Sequence, residues 1–199
     1  MKNFDKNKSP KYNYPNINYN CKYGFIPIEA KYHTALFPDL YLKNENMYLY
    51  KEKPCSYAIE KIYVTNWTRL EYNPGDILLI YRNGQYIPKK YSSVVSGFAI
   101  VQEIIYSKTL EDYLSCCNNR SVFTEEELIN FYNSSKYRTI VKLLYYCGFK
   151  NKVILNDLYS LNIIQNGNGP RLNTIISQEQ FKEIFELGVK NENTHVNKS

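Results

Sequence analysis

Residues 73–105, NPGDILLIYRNGQYIPKKYSSVVSGFAIVQEII, decide the fold of this chain. They begin with a Pro-Gly turn that leads into ILLIYR at 77–82, an apolar run too short for a helix and typical of a buried strand. An Asn-Gly pair then signals a second turn, and the β-branched run at 93–105 predicts a longer strand. Gly97 inside that strand indicates a bulge or the close approach of another backbone or a ligand.

Further strand signals lie on both sides of this stretch. KIYVTN at 61–66 precedes it, and RTIVKLLYYCGF at 138–149 and NTII at 173–176 follow it. These runs are short, apolar or β-branched, and separated by polar turn residues, so each predicts a strand.

Helix signals occupy the gaps between the later strands. A short helix is predicted at about 109–117 and a single turn at 158–161. Thr124 and Ser177 each open a capping box, with Glu or Gln three residues later, and an apolar stripe follows each of them. This order predicts an α+β fold with a mostly antiparallel, strongly curved sheet or small barrel, flanked by short helices.

The composition limits the class of protein. The chain has 199 residues, of which 44% are hydrophobic and 22% charged, as in one soluble globular domain. No run approaches the roughly 18 apolar residues of a membrane span, and the N-terminus lacks the apolar core of a signal peptide. We therefore expect a cytoplasmic protein without a membrane partner. The net charge of +6 permits an acidic partner such as nucleic acid but does not require one.

The two ends of the chain are polar. Residues 1–21 carry several lysines and almost no aliphatic side chains, so we predict a flexible basic N-terminal arm. Residues 190–199 are polar and predict a disordered tail. The folded domain is expected at 22–189.

Cysteine and histidine usage argues against a metal or cofactor site. The five cysteines are odd in number and contain no CxxC pair, so we predict free thiols with no disulfide and no metal. Of the two histidines, His195 lies in the polar tail and His33 lies beside an apolar run. His33 is either a hydrogen-bonded structural residue or a catalytic base, which would need a nucleophile and an orienting acid within reach. No cofactor is predicted.

The segments between residues 55 and 105 resemble the PUA-like superfamily. They read CSYAIEKIYVTN, NPGDILLIYRNG and VVSGFAIVQEI, in the order of a short helix and strand, a Pro-Gly-Asp turn with an apolar strand, and a glycine-containing strand. The pattern is most similar to EVE and ASCH domains, with YTH domains as relatives, and it covers about 22–187. The resemblance implies a curved pocket between two strands that holds an unpaired or flipped nucleobase.

The resemblance implies a nucleic-acid-binding module that reads an unpaired or modified base in an aromatic pocket, without catalysis. Two alternatives stay open. One is an ASCH-type hydrolase or nuclease acting on RNA or modified nucleosides; the other is a protein-interaction or regulatory domain in a toxin–antitoxin or phage-defence cassette. The Gly-x-Lys-x-x-Thr-x-Arg signature of ASCH domains that act on acylated nucleosides is absent from the chain, which disfavours the enzyme.

Five residues are candidates for contact with a base or a phosphate: Ser56, Lys61, Trp67, Tyr81 and Arg82. We expect the rings of Trp67 and Tyr81 to line one concave site, with Arg82 or Lys61 at its mouth. Ser56 either donates to a base edge or caps a helix at 56–60. The others have structural alternatives as well: a rim tryptophan, a surface hairpin pair and a solvated lysine. The resemblance implies that 61–66 and 77–82 are neighbouring strands joined by the Pro-Gly-Asp turn. A simple hairpin would place the two rings at opposite ends, so their convergence requires strong coiling of the sheet or a loop at 67–75 that folds back.

Overall fold

The computed structural model describes residues 4–42, 55–118 and 120–189. In it, six strands form one mixed, curled sheet. The strands lie in the order β2–β5–β4–β3–β1–β6. They are β1 (Tyr23–Glu29), β2 (Glu60–Thr65), β3 (Ile77–Asn83), β4 (Val94–Tyr106), β5 (Thr139–Ile154) and β6 (Ile175–Ile176). The fold is α+β, as the sequence predicts, and every predicted strand segment is found.

Short helices flank the sheet; the last four lie at or near the predicted places, and the first three were not predicted. They are α1 (Pro10–Asn13), α2 (Ala30–Leu36), α3 (Lys89–Ser92), α4 (Leu110–Cys117), α5 (Glu125–Ser134), α6 (Leu155–Ser160) and α7 (Gln178–Val189), with a 3-10 turn at Pro38–Leu40. The two predicted capping boxes open α5 and α7. Thr124 N donates to Glu127 Oε2 at 2.7 Å and its Oγ1 accepts from Glu127 N at 3.2 Å, and Ser177 and Gln180 exchange the equivalent pair. The helix predicted at 56–60 is wrong: Ile59 O already accepts from Tyr145 N in the sheet ladder.

Strand β1 was not predicted, and it makes the sheet mixed rather than antiparallel throughout. It pairs in parallel with β3, with Tyr23 opposite Ile77. On its other side it pairs with β6 only at Tyr23 and Gly24, so β1 is an edge strand beyond those residues. A proline within the run, Pro27, is tolerated there because an edge position needs no donor toward solvent.

Strands β2 and β3 are not neighbours, which corrects the expectation of a hairpin between them. The long strands β5 and β4 lie between them. The Pro-Gly-Asp turn instead ties β3 to β4 and to the start of β1. Gly75 N donates to Val101 O at 2.7 Å, and Asp76 Oδ1 accepts from Lys22 N at 2.9 Å.

Gly97 lies at a point where the backbones of β4 and β5 come close together. It lies opposite Gly148, next to a register shift in β4, and a Cβ at Gly97 would lie 2.4 Å from Cys147 O. The predicted close approach is therefore confirmed, because any larger residue would push the two strands apart.

The hydrophobic core lies on both faces of the sheet. One cluster packs under α2 and the 3-10 turn and includes Phe37, Leu40 and Leu143. The opposite cluster packs under α7 and includes Tyr81, Phe98 and Phe181. A smaller cluster lies beneath α4 and α5. Burial on both faces explains why ILLIYR at 77–82 is apolar without alternation.

The described part of the N-terminal segment, residues 4–21, packs on the sheet, in contrast to the flexible arm predicted for 1–21. Lys11 Nζ lies 3.0 Å from Glu60 Oε2, and Tyr14 OH donates to Tyr145 O at 3.1 Å. The Tyr14 ring packs edge-on against Tyr146. The N-terminal segment has few aliphatic side chains, and tyrosine rings such as that of Tyr14 make its apolar contacts with the sheet instead. The predicted tail at 190–199 lies outside the described residues.

No described helix is both long enough and apolar enough to cross a membrane.

Candidate functional site

A cleft of about 270 Å³ lies between the N-terminal segment, the 3-10 turn, the turn before β2 and the middle of β5. Five of its lining residues are aromatic: Tyr14, Phe37, Tyr57, Tyr145 and Tyr146. The other lining residues are Pro38, Asp39, Ser56, Ala58, Ile59 and Lys61. The cleft thus combines ring faces with one amine and one carboxylate.

Lys61 supplies the amine from inside the protein. It lies on β2 with its side chain toward the same core as Phe37, and only 2% of the residue is exposed. Its Nζ donates to Cys55 O at 2.9 Å and to Ser56 O at 2.7 Å. An ammonium group has three hydrogens. Among the described residues these two carbonyls are its hydrogen-bond acceptors, so one of the three hydrogens has no acceptor there.

Burial also changes the acidity of this amine. Removal from water lowers the pKa of Lys61 from 10.5 to about 8, although the charges of Cys55 and Asp39 act in the opposite direction. Near neutral pH the amine is therefore mostly protonated, and a modest rise in pH converts it into a base.

The phenols around Lys61 remain protonated at neutral pH. Burial raises the pKa of Tyr14, Tyr145 and Tyr146, because a phenolate would lose its hydration. Tyr145 also packs against Phe37, with ring centroids 5.3 Å apart. Each phenol therefore offers a hydroxyl and an apolar ring face rather than a charge.

The structure brings two of the five predicted site residues, Ser56 and Lys61, into this cleft. Ser56 contributes its carbonyl to Lys61, and its hydroxyl donates to Ala35 O at 3.2 Å, which fixes the turn against α2. The sequence analysis predicted Lys61 as a residue at the mouth of the site, but the structure buries it beneath the cleft. The reason is that β2 turns this position toward the core of the curled sheet.

Trp67 and Tyr81 do not converge. Tyr81 is 2% exposed and packs with Phe25 in the core under α7, where β3 pairs with Val95 of β4. Trp67 follows β2, and its carbonyl accepts from Thr139, which pairs with the last residue of β4. Eleven residues of β4 separate the two pairing points, which is roughly 35 Å of strand.

Arg82 also lies away from the cleft, in the interior near His33. It is 2% exposed, and its positive charge helps lower the pKa of His33. Residues 81 and 82 end a strand that is covered on both faces, so neither of them reaches solvent at a pocket mouth.

His33 has a structural role in this fold. It is fully buried, and burial lowers its pKa to about 3, so the ring is neutral. Its Nε2 lies 2.8 Å from Ser96 Oγ, and Ser96 Oγ donates to Ile80 O at 3.3 Å. Since the serine hydrogen is directed at a carbonyl, Nε2–H is the donor to Ser96. The pair joins α2 to the sheet and does not form a nucleophile with its base.

Sequence reasoning missed most of the residues around the cleft. Tyr14 falls in the segment predicted to be an arm, and Tyr145 falls within an ordinary strand pattern. Phe37 and Asp39 lie in a short turn with no functional motif. Tyr57 lies between two predicted site residues, Ser56 and Lys61, but was not itself predicted. The remaining residues come together through packing between distant segments.

Across the described ranges, no group of three or more His, Cys, Asp or Glu side chains is arranged to hold a metal ion.

Solved structures of an ASCH protein from Zymomonas mobilis match this fold. The ASCH structure superposes with a TM-score of 0.59 at 15% identity, covering 85% of this chain and 97% of the other. A tyrosine-to-phenylalanine variant gives 0.58 at 15% identity, covering 83% and 98%. A serine-to-alanine variant gives 0.56 at 16% identity, covering 84% and 97%. The chain has the ASCH fold.

The ASCH-type fold that the resemblance of residues 55–105 implied is therefore confirmed. No protein-family model matches the chain, and no curated protein matches it. At 15–16% identity the similarity concerns the ASCH fold alone. The chemistry of the cleft therefore has to be argued from its own residues.

Proposed function

We propose that this ASCH-fold protein is a nucleic-acid-binding module whose cleft holds one unpaired nucleobase. The observation that carries the proposal is the buried ammonium of Lys61, which lies beside a set of aromatic rings and has two acceptors for its three hydrogens among the described residues. A base offers the two matching features, a π-face for stacking and carbonyl or ring-nitrogen acceptors at its edge.

The size of the cleft favours a single base. Its volume of about 270 Å³ is just below the range of roughly 300–1,000 Å³ typical of sites for drug-sized ligands. A nucleobase therefore suits the cleft better than a dinucleotide, whose sugar and phosphate groups would remain outside. The net charge of +6 supports such a partner, because phosphates are attracted to a basic protein.

Tyr57 is the best residue with which to test this proposal. It lines the cleft and is 67% exposed, so its removal should leave the fold intact. We expect Tyr57→Ala to weaken binding of single-stranded oligonucleotides about tenfold, in line with roughly 1–3 kcal/mol per stacked base. Fluorescence anisotropy with labelled DNA and RNA, with and without modified bases and at two salt concentrations, measures this change.

Trp67→Ala is the matched control, because Trp67 is a partly exposed aromatic residue outside the cleft. Its affinity should equal that of the parent within twofold. Equal losses in both variants, or no loss in Tyr57→Ala, would contradict the assignment of this cleft. Binding to none of the oligonucleotides would instead favour a protein partner.

A second candidate function is hydrolysis of RNA or of a modified nucleoside. The lowered pKa of Lys61, about 8, favours it because a neutral amine can act as a general base. Activity would then rise with pH up to about 8, whereas base binding by the ammonium would weaken above about 8. Lys61→Arg separates the two: it keeps a cation for binding but cannot supply a base near neutral pH. Release of nucleoside from labelled RNA or acylated nucleosides is the readout.

A further inference from the structure

The hairpin loop between β3 and β4 exposes two tyrosines, one isoleucine and one lysine, and a second lysine beside them is half-buried. Residues 84–93 read GQYIPKKYSS, and this segment is called the 84–93 loop. Tyr86 is 63% exposed, Tyr91 54% and Ile87 91%, the highest exposure among the large apolar side chains of the described residues. Lys89 and Lys90 lie between the two tyrosines in the sequence. Contiguous apolar surface exposed on a protein often marks an interaction site.

The 84–93 loop is held in one conformation by its own hydrogen bonds. Ser92 Oγ donates to Tyr86 O at 2.6 Å, and Gly84 N donates to Ser93 Oγ at 2.9 Å. Tyr91 N donates to Pro88 O at 3.1 Å. At Gly84 the backbone of Ser92 lies within 2.7 Å of where a Cβ would be, so the loop closes tightly at its base. The exposed rings are therefore presented by a preorganised frame.

The loop is also fixed to the body of the protein. Leu155 N donates to Ser93 O at 2.9 Å, and α3, which forms the end of the loop, packs on α6. The side chains at its tip lose little further freedom when they bind, which favours affinity.

The chemistry of the exposed side chains fits single-stranded nucleic acid. Tyrosine rings stack on bases without sequence preference, and lysines between them neutralise phosphates. Lys90 Nζ already lies 4.9 Å from the centroid of the Tyr91 ring, so charge and ring are presented together. A membrane-binding loop would need several aliphatic or tryptophan side chains, and this loop has one aliphatic side chain at its tip, Ile87.

We propose that the 84–93 loop is a second contact for single-stranded nucleic acid, binding bases with Tyr86 and Tyr91 and phosphates with Lys89 and Lys90. The inference rests on the proposed function, because it places two contacts along one bound strand. Val94 at the base of the loop and Ala99 opposite Tyr145 of the cleft are five residues apart on β4, or roughly 17 Å. Measured along β4, this separation is within the reach of one short oligonucleotide.

The test compares a dinucleotide, which is too short to reach from the cleft to the loop, with a 12-nucleotide single strand. For the 12-mer we expect about tenfold weaker binding for each ring removed in Tyr86→Ala and Tyr91→Ala. Lys89→Gln with Lys90→Gln should lower the slope of log K against log salt concentration by about 1.4, since each phosphate contact contributes about 0.7 for single strands. Dinucleotide binding should be unchanged in all of these variants.

A similar pair elsewhere on the surface provides the control. Lys136 Nζ lies 5.2 Å from the ring centroid of Tyr137, which is 37% exposed. The double variant Lys136→Gln, Tyr137→Ala should bind the 12-mer like the parent. If it loses as much affinity as the loop variants, the loop has no specific role and the inference is overturned.

The failure of this inference can be separated from that of the proposed function. If Tyr57→Ala weakens binding of both ligands while the loop variants bind the 12-mer normally, the cleft is retained and the loop is rejected. If only the loop variants weaken 12-mer binding, the loop contact stands without the cleft. If the parent binds neither ligand, both proposals fail. Sedimentation with phosphatidylserine vesicles that depends on the loop, while 12-mer binding is unchanged, would overturn the inference in favour of a membrane.

Discussion

Replacing Lys61 with methionine should change how the stability of this protein depends on pH. Burial lowers the pKa of Lys61 from 10.5 to about 8, so the folded state releases its proton before the unfolded state does. Between these two values the unfolded chain binds more protons, and the free energy of unfolding must rise with pH. The loss of unfolding free energy caused by the buried charge of Lys61 is largest below pH 8 and disappears above pH 10.5.

The size of the effect follows from the two pKa values. The buried charge costs about 3 kcal/mol at neutral pH, and about 2 kcal/mol of this is recovered between pH 7 and 9.5. Methionine has a similar length and no proton to lose, so Lys61→Met should lack this gain. It also removes the bonds to the carbonyls of Cys55 and Ser56, which lowers stability at every pH without adding a slope.

The assay is urea denaturation of the parent and of Lys61→Met at half-unit steps from pH 7 to 9.5. The tyrosine and cysteine side chains titrate in both proteins, so the difference between the two curves isolates Lys61. We expect the unfolding free energy of the parent, relative to the variant, to rise by about 2 kcal/mol. Two curves that stay parallel within about 0.5 kcal/mol would refute the reasoning that Lys61 is a charged amine buried beneath the cleft.

Three further predictions concern the fold. Gly97→Ala should destabilise the protein by roughly 1–3 kcal/mol, measured by thermal denaturation, because its Cβ would meet Cys147 O; an unchanged midpoint would contradict the close approach of β4 and β5. His33 should show no titration of its ring signals by NMR between pH 5 and 8, and the protein should lose stability as the pH falls from 6.5 toward 3, since the folded pKa is depressed to about 3. Thiol titration of the unfolded chain should give five cysteines with or without reductant; a lower count without reductant would indicate a disulfide.

Local sequence patterns determined the secondary structure of this protein to a large extent. Runs such as ILLIYR are too short for a helix and too apolar for a surface loop, and capping boxes such as that at Thr124 specify a helix start through bonds between neighbours. Gly97 pointed to a close approach of strands because only glycine lacks a Cβ. These signals depend on residues a few positions apart, which is why one sequence was sufficient to read them.

Only the tertiary structure decided which segments meet. β1 pairs with β3 across about 54 residues, and two long strands separate β2 from β3, so the expected hairpin does not exist. The cleft joins Tyr14, Phe37, Lys61 and Tyr145 from four separate segments. The face of the sheet toward which Tyr81 points, and the depth at which Lys61 lies, depend on the curl and register of the whole sheet. The curl and the register are set by packing between residues that are distant in sequence, and local sequence patterns do not identify these contacts.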